Sequence, residues 1–326
     1  MQRRRQVLQC IGAASTIGLT GVVTASNPEV KVVTKLGYLD NSIGKQETIS
    51  IQQEELTSFS DANQIGLSSA QPEGDDTEVV GLAAAINRDG ETRQFVGATA
   101  DDARVSEVHE EVRAYARRFT EEMSGEQVQS NVTADGDWSK FSDNIYKNLG
   151  VSVDITSDSN TFVWEGRTDY DRWGTHNTLK ASPEDGDYIS DHLQCCQMYH
   201  DWSNYGGNDL AIVSNEPSSS SNNAEVGLNL SLSSAPGGSV GFSYTQYGDV
   251  NRTLKQDPYV SKYDWAFKDF DFGEDVSEFD TGTEIAAAPN SIGLQDPLVR
   301  FDGNVDVLYD GDKSSYNFNQ FFEVSG

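Results

Sequence analysis

The alternation of apolar and polar positions predicts a mainly β chain. After residue 150, apolar side chains recur at every second position in short runs, which are separated by clusters of Gly, Ser, Asn and Asp. A two-residue period places alternate side chains on opposite faces of a strand, so each run predicts a strand with one buried face. Such runs are typical of an antiparallel β-sandwich. They cover residues 151–155, 161–164, 226–232, 240–244, 263–267 and 305–309.

The segment before residue 125 predicts a small unit of strands, a hairpin and a helix. Asp89 and Gly90 separate two apolar runs, and Asp-Gly is a hairpin signal because Gly accepts a positive φ. Apolar residues at three- and four-residue steps predict an amphipathic helix that opens at Asp101 and ends near Met123. Residues 30–33 form an apolar-rich run, a strand is expected at residues 48–51, and a second short helix is expected at 138–149.

The predicted elements give an α+β fold with two unequal parts. We expect a small N-terminal strand-hairpin-helix unit, followed by a mainly antiparallel β-sandwich. Polar residues without a period indicate a linker between them. The expected division is a signal at 1–25, an α+β domain at 26–125, a linker at 126–136 and a mainly β domain at 137–326.

The first residues have the layout of an export signal. Residues 3–9, RRRQVLQ, form a twin-arginine pattern with Arg4 and Arg5 as its pair, and an uncharged run of small and apolar residues follows as far as Ser26. Small residues at the third and first positions before a cut place the expected cleavage after Ala25. We therefore expect a secreted protein that works outside the cytoplasm.

The charge of the chain limits its environment and its partners. It has 326 residues, with 23 Lys plus Arg against 52 Asp plus Glu, and removal of Arg3, Arg4 and Arg5 leaves 20 bases and a charge of −32. Such a charge strains a compact state by self-repulsion, but concentrated salt screens it, since the Debye length falls to about 3 Å near 1 M. Nucleic acid is not an expected partner, because phosphate contacts need basic side chains.

The export signal and the composition together resemble the exported proteins of haloarchaea. Only ten of the basic residues are Lys, while Asp is abundant, and the twin-arginine route exports proteins that are already folded. The resemblance is specific for residues 1–26 and rests on composition elsewhere. It implies a halophilic, secreted protein of an archaeon, and it names no activity.

A short stretch rich in thiols and imidazoles suggests a metal site. If this stretch is helical, His192, Cys196 and His200 share one face, and thiolate with imidazole suits zinc or copper. The alternative is that Cys196 packs inward while the histidines lie at the border with solvent. Cys195 and Cys196 are adjacent, and burial, a strained mutual disulfide and intermolecular pairing remain open for them. Any other cofactor stays unknown from the sequence.

Residues 225–247 form two alternating arms around a Ser/Ala/Pro/Gly turn. Each arm is about long enough for a membrane-inserted strand, which needs about 9–11 residues. Pore-forming toxins of the leukocidin type use a hairpin of this pattern, and the likeness is one of pattern alone. An ordinary hairpin with one buried face satisfies the same pattern. The candidate membrane-facing residues are Val226, Leu228, Leu230, Leu232, Val240, Phe242 and Tyr244.

Three classes of function follow from these features. The chain has neither a Gly-x-Ser-x-Gly elbow nor a His-Glu-x-x-His motif. The leading hypothesis is a non-catalytic extracellular binding or interaction module, whose loops present Trp173, Trp202 and Tyr205 to a protein, a glycan or a membrane surface. The second is a membrane-active pore-forming toxin or antimicrobial protein with residues 27–125 as a pro-region. The third is a hydrolase or metal-dependent enzyme.

Overall fold

A computed structural model shows a mostly β chain with two α-helices. It describes residues 23–26, 29–60, 62, 65–73, 76–124, 133–134, 138–150, 153–164, 171–183, 193–202, 211–216, 225–231, 239–245, 249–254, 260–266, 277–287, 297–309 and 312–325. The helices are α1 (Lys45–Leu56) and α2 (Val105–Met123). Within the described part of the chain, no helix is long and apolar enough to cross a membrane.

Eighteen strands make up the rest of the described structure. They are β1 (Val23–Ser26), β2 (Val30–Leu36), β3 (Ile65–Glu73), β4 (Glu78–Asn87), β5 (Thr92–Thr99), β6 (Thr133–Ala134), β7 (Trp138–Leu149), β8 (Val153–Trp164), β9 (Asp171–Pro183), β10 (Leu193–Asp201), β11 (Ala211–Glu216), β12 (Glu225–Ser231), β13 (Ser239–Thr245), β14 (Asp249–Leu254), β15 (Val260–Ala266), β16 (Ser277–Ala287), β17 (Pro297–Tyr309) and β18 (Asp312–Ser325).

The strands form three hydrogen-bonded sheets. A nine-stranded sheet has the order β1-β2-β4-β5-β7-β8-β9-β16-β11, and a six-stranded sheet has the order β14-β15-β10-β17-β18-β3. The third sheet has three strands in the order β12-β13-β6. Strands β5 and β7 pair in parallel, and the other described pairs are antiparallel. The expectation of a β-rich, mainly antiparallel chain is therefore confirmed.

The predicted hairpin and the long helix are both confirmed. Strands β4 and β5 pair across a turn in which Gly90 has a φ of 90°. A 3₁₀ turn, Asp102–Arg104, leads into α2, and the Asp101 side chain accepts a hydrogen bond of 2.9 Å from the backbone nitrogen of Ala103. The helix ends at Met123, as its spacing predicts.

Helix α2 packs closely on the nine-stranded sheet. It buries its apolar face against β2, β4 and β5. Two glycines allow the close approach: a Cβ added at Gly81 would lie 2.5 Å from a methyl of Val112, and one at Gly97 would lie 2.4 Å from a methyl of Val108. A larger residue at either position would therefore push the helix away from the sheet.

The strand expected at residues 48–51 is wrong, because this segment lies inside α1. The flanking sequence is rich in Gln and Glu, which favour a helix. The alternation in the sequence is real but short, and burial follows the helical period instead. The buried residues are Thr48, Ile51, Gln52 and Leu56.

The helix expected at residues 138–149 is also wrong, because this segment forms β7. Ile145 lies in the core beneath α2, whereas its neighbour Tyr146 lies in the core shared by the two large sheets. A strand that is buried on both faces does not alternate between apolar and polar residues. A bulge between Lys140 and Ser142 further disturbs the two-residue period.

The two large sheets share one hydrophobic core, and strand pairing crosses the predicted linker. Leu82 and Tyr146 of the nine-stranded sheet belong to the same cluster as Phe318 and Phe322 of the six-stranded sheet. Strand β3 precedes the predicted linker yet pairs with β18, and β5 pairs with β7 across that linker. The two expected domains are thus joined by hydrogen bonds in both large sheets.

The predicted export signal lies mainly outside the described residues, including Arg4 and Arg5. Its last residues form β1, which pairs with β2 from Val23 opposite Thr34 to Ser26 opposite Lys31. The expected cleavage before Ser26 falls inside this strand. A chain cut there would keep one of the four residues of β1.

Candidate functional site

The stretch considered for a metal site forms the strand β10, so the helical condition on which that hypothesis depended is not met. In β10, Cys196 and His200 are four residues apart, and at about 3.3 Å per residue their Cα atoms are about 13 Å apart. Ligand bonds to zinc of about 2.0–2.3 Å do not span this separation, so the proposed site loses its geometric basis. His192 lies outside the described residues. Among the residues that the structure describes, no three His, Cys, Asp or Glu side chains form a group suited to a metal ion.

His200 is a buried core residue surrounded by threonines. Its Nε2 lies 2.8 Å from Oγ1 of Thr281, and its Nδ1 lies 3.2 Å from Oγ1 of both Thr175 and Thr283. Burial, and then the nearby His176, lower the pKa of His200 to about 3. The imidazole is therefore neutral at ordinary pH, and it serves as a hydrogen-bonding group between strands.

The expected exposed aromatic patch is wrong for both of its tryptophans. Trp202 is fully buried, and its Nε1 donates a hydrogen bond of 3.0 Å to Oγ1 of Thr283. Trp173 is also buried and contacts Phe141 edge-to-face, with 5.0 Å between the ring centroids. Tyr205 lies outside the described residues. Core packing accounts for the two tryptophans, because both belong to the hydrophobic core cluster between the large sheets, in step with the inward-facing positions of β9 and β10.

The backbone hairpin expected in residues 225–247 is present as β12 and β13. The register sets apolar residues of the two arms opposite each other, and β13 also pairs with β6. Leu232 lies outside the described residues. Insertion of this hairpin into a membrane stays a prediction. The apolar pairs are Val226 with Tyr244, Leu228 with Phe242 and Leu230 with Val240.

A tyrosine on the turn between β2 and α1 is exposed. Tyr38 is exposed, with 42% of its surface accessible, and it is the one exposed large hydrophobic residue among the side chains that the structure describes. The turn is closed by two backbone hydrogen bonds between Tyr38 and Asn41, of 3.2 and 3.0 Å. Asp40 and Asn41 are exposed beside the ring. The turn therefore presents an aromatic ring together with a carboxylate and an amide.

The buried structure below holds this turn in place. The backbone nitrogen of Gly37 donates to the carbonyl of Val80 over 2.8 Å, which ties the start of the turn to β4. His109 of α2 is buried, its Nε2 lies 2.9 Å from the carbonyl oxygen of Gly37, and its ring meets that of Tyr38 edge-to-face at 5.4 Å. We did not predict this site, although the turn residues that follow the apolar run of β2 are the signal that locates it.

A network of uncharged polar side chains lies between the two large sheets. Gln320 of β18 is central to this inter-sheet network, because its Oε1 accepts hydrogen bonds from Ser157 (2.6 Å) and Ser159 (2.9 Å) of β8. Its Nε2 donates to the carbonyl oxygen of Asn144 in β7 over 2.8 Å. These four residues are buried, so the network joins the sheets without any ionic charge.

A second polar group lies on the opposite face of the nine-stranded sheet, beside the C-terminal half of α2. It carries ionic charge, and we refer to it as the acid-pair cluster. Its members come from four different elements, so their proximity depends on the fold. They are Glu91 and Arg93 at the start of β5, Arg118 and Glu122 of α2, Lys140 and Asp143 of β7, and Asp158 and Asn160 of β8.

Ion pairs join the members of the acid-pair cluster. Arg93, which is 8% exposed, binds Glu122 of α2 and also Glu91, the latter at 3.1 Å. Arg118 donates from Nε to Glu122 over 2.6 Å. Lys140 donates from Nζ to Oδ2 of Asp143 over 2.9 Å. The cluster thereby connects α2 to β5, and it supplies two bases close to the buried Asp143.

Two carboxyl groups in the cluster are close neighbours with opposite tendencies to ionise. Asp143 lies opposite Asn160, and Asp158 lies opposite Ile145, so the two aspartates are diagonal neighbours on one face. Burial opposes ionisation of Asp143, but Lys140 and Arg93 outweigh it and lower the pKa of Asp143. Burial and then the charge of Asp143 raise the pKa of Asp158 well above its usual range. The surroundings therefore favour the ionised form of Asp143 and the protonated form of Asp158.

Comparison with known proteins adds no functional assignment. No family model matches the chain, and no curated protein matches it. A solved structure that contains manganese lipoxygenase of Gaeumannomyces graminis and part of zonadhesin of Komagataella pastoris is 10% identical over 95% of this chain and 96% of that chain, with a TM-score of 0.23. This TM-score is too low for the likeness to support any argument about fold or function.

Proposed function

We propose that the protein is a secreted, non-catalytic binding module of a halophile, exported by the twin-arginine route. Its partner is an extracellular protein, a glycan or a membrane surface. We also propose that its two large sheets stack as a β-sandwich that acts as a rigid scaffold. The shared core and the hydrogen bonds of Gln320 to β7 and β8 support this stacking.

The observation that carries the proposal is the exposed Tyr38 on an anchored turn. Tyrosine is a frequent anchor in binding surfaces, because it offers a large contact area and a polar hydroxyl with few rotatable bonds. The backbone bonds at Gly37 and Asn41 hold the turn before any partner arrives. A preorganised turn loses little conformational entropy on binding, which favours contact through this ring.

The placement of the histidines favours binding over acid–base catalysis. Histidine is the commonest side chain to transfer protons near neutral pH. In the described part of the chain, His109, His176 and His200 are all buried, with exposures of 7%, 3% and 0%. His109 supports the Tyr38 turn and His200 joins core strands, so two of the three have roles in the structure.

Substitution of the tyrosine tests this proposal. We would measure binding of the purified protein to haloarchaeal cells and to immobilised polysaccharides in concentrated NaCl. Tyr38→Ser is expected to weaken binding about tenfold or more, as loss of an aromatic anchor does. The matched control is Glu121→Ser, an exposed position near the far end of α2, which should bind like the wild type. Equal binding by the wild type and Tyr38→Ser, or no binding by the wild type to any of these surfaces, would overturn the proposal.

A second candidate is a membrane-active protein, and the register of the β12–β13 hairpin favours it. The apolar residues of the two arms are aligned across the hairpin, as a membrane-facing surface requires. Dye release from lipid vesicles, measured across salt concentrations, tests this candidate. Release that is lost in Leu228→Asp would support it, and an absence of release at every salt concentration would remove it.

A further inference from the structure

Independently of the binding role, we infer that Asp143 and Asp158 hold one proton between them and form a proton-binding site that secures α2 to the sheet. The site lies within the acid-pair cluster. It takes a proton as its ligand, and loss of that proton is expected to loosen the C-terminal half of α2.

An unpartnered oxygen is the first argument. Asp143 is 5% exposed, and its Oδ2 accepts from Lys140, but its Oδ1 is buried without a hydrogen-bond partner. A buried acceptor of this kind is rare, because it loses its bond to water and gains nothing in return. Asp158 is the diagonal neighbour on the same face, and a proton on its carboxyl supplies the missing donor.

The remaining oxygen of Asp158 is consistent with this arrangement. Its Oδ1 accepts a hydrogen bond of 2.9 Å from Nδ2 of Asn160, which leaves its other oxygen to carry the proton. The pair then has a complete set of bonds: Lys140 and Asp158 donate to Asp143, and Asn160 donates to Asp158. Two ionised carboxylates at this place would be two acceptors facing each other without a donor.

The charge of the cluster gives a second argument. Its bases are Arg93, Arg118 and Lys140, and its acids are Glu91, Glu122, Asp143 and Asp158. Three positive charges face four acids among these groups, so a proton on Asp158 lowers their excess of negative charge. A metal ion is the other way to supply charge, but the described residues offer no group of three ligating side chains for it.

Other charged groups face the pair from the neighbouring elements. Lys147 of β7 binds Glu111 of α2 over 2.6 Å, so each neutralises the other. Burial raises the pKa of Tyr115 to about 12, so its ring stays uncharged over the working range. The register of β9 places two further bases on the same face, near Asp158. These are His176 and Lys180.

The sign of the pH effect follows from these shifts. The raised pKa of Asp158 means that the folded protein keeps a proton which the unfolded chain releases above about 3.9, the usual value for Asp. The contribution of Asp158 to stability is therefore fully present below about pH 3.9 and is lost as the pH rises towards its pKa in the folded state. Above that value, Asp158 and Asp143 repel each other next to the Arg93–Glu122 contact that holds α2.

The variant Asp158→Asn tests the role of the proton, because it removes the titrating group and keeps the side-chain shape. Its amide donates permanently to Oδ1 of Asp143, and its carbonyl oxygen still accepts from Asn160, so the packing is retained. The infrared difference spectrum of wild type minus variant, recorded at mildly acid pH above the usual pKa of a free carboxyl group, is expected to show the C=O stretch of one protonated carboxylic acid that the variant lacks. Asp40→Asn, at an exposed position, should retain the band. A variant spectrum identical to that of the wild type would overturn the inference.

Hydrogen exchange along α2 tests the consequence for the helix. Between about pH 3.9 and the raised pKa of Asp158, protection of amides between Arg118 and Met123 should fall by up to about tenfold per pH unit in the wild type, after correction for intrinsic exchange, as loss of one proton predicts. In Asp158→Asn the corrected protection should not change with pH. Equal profiles for the two proteins would contradict the inference. So would protection that follows the identity of the cation, Na⁺ or K⁺, instead of the pH.

Discussion

The nine-stranded sheet buries polar groups on both of its faces, and the two sets differ in charge. The inter-sheet network around Gln320 consists of hydroxyls and amides joined by neutral hydrogen bonds. The acid-pair cluster around Asp143 consists mainly of ionisable groups, with Asn160 as an uncharged partner. One face thus relies on neutral hydrogen bonds, and the other relies on balanced charge.

This difference indicates which part of the protein should have a pH-dependent stability. A neutral hydrogen bond between amides and hydroxyls does not change over the working range, whereas a buried ion pair requires each partner to keep its protonation state. We therefore expect the inter-sheet contact to be insensitive to pH, apart from His200. The contact of α2 with the sheet should respond to pH through Asp158.

The largest effect is expected from removal of the ionised member of the acid pair. Asp143→Asn leaves the largely buried Lys140 without its hydrogen-bonded carboxylate, whereas Arg93 keeps Glu91 and Glu122. Removal of one partner of a buried ion pair costs about 3–5 kcal/mol. Denaturant unfolding in concentrated salt measures the loss. The control Asp306→Asn, at a less buried carboxylate that accepts from Ser315, should cost about 1 kcal/mol or less. Equal losses in both variants would mean that the cluster does not stabilise the fold.

A smaller effect is expected when the neutral network is broken. Gln320→Leu leaves the hydroxyls of Ser157 and Ser159 without their acceptor, at a cost of about 2–3 kcal/mol. Because no ion is involved, the loss should be the same at mildly acid and mildly alkaline pH. A loss that varied with pH would show that the network is coupled to a titrating group.

His200 should make the inter-sheet face sensitive to acid. Its pKa is lowered to about 3 in the folded protein, so the unfolded chain takes up a proton first as the pH falls below about 6.5. Stability should then fall with decreasing pH, by up to about 1.4 kcal/mol per pH unit, until the pH reaches about 3. His200→Gln should remove this slope in acid unfolding experiments. A slope that persisted would place the titrating group elsewhere.

The smallest effect on stability is expected at the exposed turn. Tyr38→Ser removes an exposed side chain that belongs to neither the inter-sheet network nor the acid-pair cluster. Surface changes of this kind usually alter stability by about 0.5 kcal/mol or less. The variant should therefore have the same free energy of unfolding as the wild type, although it binds its partner more weakly. A large loss of stability would mean that the ring supports His109 and α2 instead of a binding surface.

The sequence was informative where one period dominated a segment. Helix α2 has one apolar face, and the β4–β5 hairpin has an Asp-Gly turn, so both were predicted. Strand β7 was missed because Ile145 and Tyr146 are buried on opposite faces. Helix α1 was missed because residues 48–51 alternate by chance within a segment that otherwise favours a helix.

The acid pair could not have been found in the same way. Asp143 and Asp158 are two among 52 acidic residues, and no spacing distinguishes them from the others. Their proximity depends on the β7–β8 register, which a bulge at Lys140 and Ser142 shifts by one residue. Because no local sequence pattern specifies this register, the pair cannot be identified until the fold is known.

The pH dependence of the free energy of unfolding tests the central claim most directly, measured in concentrated NaCl for the wild type, Asp158→Asn and Gln320→Leu. We predict that wild-type stability falls relative to Asp158→Asn as the pH rises from about 3.9 towards the raised pKa of Asp158. Gln320→Leu should give a lower curve parallel to that of the wild type. If the curve of Asp158→Asn ran parallel to that of the wild type, the acid-pair cluster would depend on pH no more than the inter-sheet network does, and the account would be wrong.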